Sequence, residues 1–196
     1  MKAPRTRAAF VLALALCPQL ARAHLISTGL GPVYDGITHF ALTPEDLLPT
    51  LALAVLAGLR GNAHARGVIV ALPLASLLAG IAGAAAGVGA HGALAWLPLL
   101  LLGGLVAADL RMSPAVIAAI GALTGVALGF GNGGAMAEAG AGLRGLVGSS
   151  VAVFVTATLT AAAASAWHAG WLRIAWRVAG SWIAAGGLLL LGWSLR

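Results

Sequence analysis

Charge is what this sequence has least of. Five acids and eleven lysines and arginines stand among 196 residues, 8% in all, while 61% are hydrophobic. With a mean hydropathy of +1.01, the chain carries more apolar surface than a domain of this size could hide from water, so lipid is its expected solvent. The basic residues are scattered at segment ends with no basic face and no interleaved aromatics, which excludes a nucleic-acid platform. Cysteine occurs once, as Cys17. No internal disulfide is possible, and if the leader described below is removed no thiolate remains, leaving only nitrogen and oxygen as metal ligands. A glycine-lysine phosphate loop is missing, which argues against ATP hydrolysis. Ser149 and Ser150 have no histidine base at a recognisable spacing, so an enzyme is not expected.

What is present begins with a leader. Lys2, Arg5 and Arg7 precede the apolar run Ala8 to Cys17 and the small-x-small end Ala21-Arg22-Ala23, the pattern of a cleavable signal peptide over residues 1–23. Cleavage there makes His24 the first mature residue, on the outer side of the membrane. Beyond it, apolar segments predict six transmembrane helices, at about 44–59, 67–90, 92–109, 114–131, 145–166 and 177–195. Residues 24–196 thus read as one all-α, polytopic membrane helix bundle with a polar outer segment at 24–43. Arg60, Arg66, Arg111, Arg173 and Arg177 fall in loops expected inside, and only Arg144 and Arg196 outside, which agrees with the positive-inside rule for a bacterial inner-membrane protein.

Small residues forecast the packing. Gly121, Gly125, Gly129 and Gly133 recur every fourth residue, with Gly80, Gly83 and Gly87 in an earlier span, offering flat strips for close backbone approach. In "GFGNGGAMAEAG", residues 129–140, five glycines interrupt the apolar pattern, and a break in the backbone is expected there, tolerated only against protein or a wet cavity.

The stretch "HLISTGLGPVYDGITHFALTPEDLLP", residues 24–49, holds three of the five acids and two of the five histidines. Asp35 and His39 are four apart, on one face of a helix, where a carboxylate either orients an imidazole or shares a cation with it. Gly29, Gly31 and Pro32 allow a sharp turn, so this helix is expected to fold back onto the outer mouth of the bundle. Thr43, Pro44 and Glu45 read as a helix start, with Asp46 placed to complete a capping box or to meet a cation. A mature N-terminal His24 offers an amine and an imidazole to a divalent transition metal. Glu138, beside the glycine-rich stretch, is a deeper candidate. The candidate metal ligands are therefore His24, Asp35, His39, Asp46 and Glu138. Asp109, next to Arg111, reads as an interfacial ion pair or cap.

These features resemble the HupE/UreJ family of small bacterial membrane proteins, associated with nickel or cobalt uptake for hydrogenase and urease. The resemblance covers the chain by layout and is closest over residues 24–61. Members carry a histidine, five residues, then Asp-His; the matching positions here are His39, Glu45 and Asp46, so the second histidine is an aspartate. A second family motif, Phe-His-Gly-x-Ala-His-Gly-x-Glu, falls on Phe130 to Glu138, with Gly131 and Ala135 at the histidine positions. Fewer imidazoles make a harder site, less selective for nickel, which implies a divergent branch. The resemblance implies a secondary permease for a divalent transition-metal ion, nickel or cobalt, with no tightly bound cofactor. The alternative is a non-transporting membrane accessory protein that partners metalloenzyme maturation proteins.

Overall fold

Proline and glycine mark where the helices begin and end. The computed structural model describes residues 28–87, 94–167 and 170–195, which form seven α-helices and no strand. Helices α1 (Pro32–Leu42), α2 (Pro44–Gly58) and α5 (Pro114–Glu138) each start on proline, whose fixed φ suits a first turn and whose missing N–H has no intrahelical role there. Helix α3 (Asn62–Ala86) follows Gly61 and stops at Gly87, both at positive φ. The others are α4 (Trp96–Ala108), α6 (Gly142–Ala166) and α7 (Trp171–Ser194). The expected leader, His24, His91 and His168 lie outside the described residues.

Helices α3, α5, α6 and α7 are long and apolar enough to cross a membrane. Their 24 or 25 residues exceed the roughly 20 that about 30 Å of hydrocarbon requires. Each of the six expected spans finds a helix, but two are short. Helix α4 has 13 residues. Helix α2 has 15 and passes the same test only together with α1, from which it bends by 73°. Large apolar side chains face outward, among them Leu78, Leu123, Leu159, Trp182 and Leu189, as expected of a lipid-facing surface.

Glycine sets the helix contacts. A Cβ added at Gly125, Gly129 or Gly133 on α5 would overlap the carbonyl oxygen of Leu72, Ser76 or Gly80 on α3. The matched steps of four run the same way on both helices, so α3 and α5 are parallel. Because these glycines are where α3 approaches, their lack of side chains is used for packing, and the expected backbone break does not occur: α5 continues unbroken to Glu138. On the other side, Gly103 faces Gly180 and Ala184 while Gly187 faces Trp96 and Leu100, so α4 and α7 are antiparallel. Helices α3 and α6 are antiparallel too, since Arg66 shares a groove with Ser165 and Leu77 shares one with Val147.

Short as it is, α2 lies at the centre. Ala52, Leu53, Ala54, Leu56 and Ala57 are each no more than 1% exposed, and α2 touches all six other helices. A helix apolar on every side belongs inside.

The loops at one end are tied by a single acid. Arg60 Nη2 donates to Asp109 Oδ1 at 2.6 Å, and Arg173 Nε donates to Asp109 Oδ2 at 2.8 Å. Asp109 thus makes its ion pairs with the α2–α3 turn and with α7. Arg60 also donates to the Leu110 carbonyl, Arg177 to that of Ala107, and His64 Nε2 to that of Met112. Burial pushes the Asp109 carboxyl up, but hydrogen bonds and charge from Arg173 and Arg60 outweigh it and hold the group below its ordinary value.

Candidate functional site

At the opposite end, α1 folds across the bundle. Gly29 and Gly31 turn the chain at φ 73° and 108°, and Gly36 and Gly145 let α1 lie directly on α6. Phe40 is 2% exposed and anchors the last turn of α1 in the core. The next residues bend the chain by 73° into α2. Thr43 has the extended backbone of an N-cap, yet its hydroxyl donates back to the His39 carbonyl at 2.6 Å. The expected side-chain cap does not form, and the hydroxyl instead fastens the bend between α1 and α2.

That bend brings His39 over Asp46. Asp46 is 1% exposed in the first turn of α2, about 20 Å up that helix from Arg60 at 1.5 Å per residue. It is buried within the bundle, where an acid needs a partner. Asn132 on α5 supplies one: its Nδ2 donates to Asp46 Oδ2 at 2.8 Å. The other end of the same carboxamide, Oδ1, accepts from His39 Nε2 at 3.0 Å. Asn132 is itself 3% exposed, flanked by the buried Gly131, Gly133 and Gly134, of which Gly133 lies directly on the Gly80 carbonyl of α3. A second hydrogen bond, from Thr50 Oγ1 to the Asp46 carbonyl, runs down α2.

The five sequence candidates fare differently. His39 and Asp46 meet, through Asn132. Asp35 turns the other way: its Oδ1 accepts from Thr28 N at 2.6 Å and from Thr28 Oγ1 at 2.7 Å, tying the preceding segment to the first turn of α1. Glu138 stands exposed at the last residue of α5. His24 is outside the described residues. Among the described residues no group of three or more His, Cys, Asp or Glu converges as a metal site would. Glu45 is half-buried in the first turn of α2, where the helix dipole favours an acid.

Asn132 was not among the residues the sequence singled out. Its signal was there: the one amide in a run of glycines and alanines, at a depth where a polar side chain requires a partner. An imidazole, an amide and a carboxylate joined across three helices can hold a proton, or can offer nitrogen and oxygen to a cation. No protein-family model, curated protein or solved structure matches the chain.

Proposed function

We propose that this protein is a multi-pass permease of the bacterial inner membrane that carries a divalent transition-metal ion through the bundle by way of His39, Asn132 and Asp46. The observation that carries this reading is the Asp46 carboxylate, 1% exposed inside a bundle of apolar helices and joined through Asn132 to an imidazole. Acids at such depth are costly and mark ion pathways. A carboxylate also supplies the negative charge that a dication needs to leave water.

The wider arrangement supports the same reading. The alternating directions of α3, α4, α5, α6 and α7 suit consecutive crossings, and α2 with α1 above it suits a sixth, broken one, of the kind transporters place at their substrate sites. Thinning of the bilayer beside the short α4 accommodates its length. The arginine-rich end around Asp109 faces the cytoplasm. The signal peptide, the mature N-terminus outside with His24 as a further ligand, and nickel or cobalt as cargo belong to this reading through the resemblance to the HupE/UreJ family. So does energy from the membrane potential.

A second reading uses the same residues differently: a membrane accessory protein that holds metal for a metalloenzyme without passing it. Uptake of nickel and cobalt into proteoliposomes containing only this chain separates the two. Flux in the wild type that is lost in Asp46→Asn is expected. Binding without flux favours the accessory protein, and the absence of both binding and flux removes both readings.

A further inference from the structure

The metal reading leaves open which atoms face the ion, and the carboxamide of Asn132 answers part of that. The nitrogen end of the amide faces Asp46, donating to Oδ2 at 2.8 Å. The oxygen end is thereby fixed toward His39 Nε2, 3.0 Å away. Nothing on α5 competes for that orientation: the flanking Gly131 and Gly133 carry no side chain, and Asn132 is 3% exposed.

Two donors bound at neighbouring vertices of an octahedral ion with bonds of about 2.1 Å lie about 3 Å apart. The His39 Nε2 to Asn132 Oδ1 separation has that value already. A dication takes the place of the hydrogen between these atoms once the imidazole holds its proton on Nδ1, which leaves the Nε2 lone pair for the ion and keeps the ring neutral. We propose, resting on the metal reading above, that Asn132 is a direct ligand through Oδ1 and is the residue that sets ion preference, giving a mixed nitrogen and oxygen site in place of an imidazole-rich one.

The donor set decides the substrate class. One imidazole and one amide oxygen, with a carboxylate supplying charge, make a site harder than one built from several imidazoles. Such a site accepts oxygen-preferring divalent ions such as manganese and narrows the advantage that nickel draws from nitrogen ligands.

Calorimetric titration of the purified full-length protein in detergent, with nickel chloride and with manganese chloride, gives the ratio of the two affinities. Asn132→Asp, which keeps the shape and adds a second carboxylate, is expected to move the ratio toward manganese, and Asn132→His to move it toward nickel, each by about tenfold, the size of effect ligand-shell changes produce. Asn132→Asp is nearly isosteric, so it decides the matter if the bulkier histidine prevents folding. A folded Asn132→Asp protein whose ratio stays within twofold of wild type overturns the assignment. Failure of the wild type to bind either ion overturns it together with the metal reading. Uptake in proteoliposomes decides transport; the affinity ratio decides Asn132.

Discussion

Gly129 of α5 rests directly on the carbonyl of Ser76 in α3, so close that a Cβ on Gly129 would overlap the oxygen. The same contact recurs one turn below, with Leu72, and one turn above, with Gly80. In lipid, where apolar burial does little to drive helices together, van der Waals contact over such a strip is a main source of association. Gly129→Val is therefore expected to separate α3 from α5 and remove the protein from the membrane fraction. Gly104→Ala is the matched control, because nothing lies within 4 Å of its added carbon. It should match wild type in abundance and in thermal midpoint, or exceed it by the ~1 kcal/mol by which alanine outdoes glycine in a helix. Equal abundance of the two variants would show that the strip does not hold the bundle together.

Asp109 is expected to behave as a pH-dependent fastener of the basic end. Its folded-state carboxyl is held below its ordinary value by Arg173 and Arg60, so its contribution is present above the unfolded value, near 3.8, and is lost as pH falls through the lower folded value. At neutral pH, Asp109→Asn should cost about 1–3 kcal/mol, since two arginines lose their charged acceptor. The gap in thermal midpoint between wild type and variant should close as the pH drops below 4. A gap that persists unchanged into acid would mean that the charge of Asp109 is not what ties these loops.

Much of this arrangement was legible in the sequence because it depends on local rules. Proline at the first turn, glycine at positive φ and a four-residue glycine repeat each act within a few residues, and each was found where expected. The misses share a different cause. Gly129 and Gly133 belong to the packing strip, yet with Gly131 and Gly134 they also predict a break in the helix, because the partner, α3, is some fifty residues away and its approach cannot be seen from α5 alone. Asp35 and His39 have the spacing of a pair, yet Thr28 captures one and Asn132 the other. Thr43 has the sequence position of a cap, but instead of accepting from the first turn of α2 its hydroxyl donates to the carbonyl of His39. Asn132 itself meets Asp46 across 86 positions, a separation at which sequence periodicity carries no information.

The docking of α1 gives a test of how the site is assembled. Gly36 lies on the carbonyl of Gly145, and Gly148 on that of Val33, so the backbones of α1 and α6 come close where a glycine on one or both sides leaves out the side chain. Gly36→Val should lift α1, and His39 with it, while leaving α2 to α7 in place. Metal binding should then fall, with membrane abundance close to wild type and new protease cleavage within residues 32–42. Wild-type binding with α1 cleaved would show that His39 is not part of the site.

Asp46 and Asn132 together allow charge to be separated from packing. Asp46→Ala leaves the buried Asn132 amide nitrogen without its acceptor, a loss of about 1–3 kcal/mol that should lower abundance as well as activity. Asp46→Asn keeps an oxygen in place for Asn132 to donate to and removes only the charge. Its abundance should stay near wild type, while metal uptake should be lost because no buried anion remains to offset the dication. His39→Ala should fall between the two, since the half-buried imidazole leaves room for water to serve the Asn132 oxygen. The double variant Asp46→Leu/Asn132→Leu removes donor and acceptor together, and should be more stable than Asp46→Ala alone because no polar group is left stranded. It should also be inactive. Uptake at the wild-type rate by Asp46→Asn would break the link between this carboxylate and transport, leaving the three joined side chains with a structural role in holding α1 over the end of the bundle opposite Asp109.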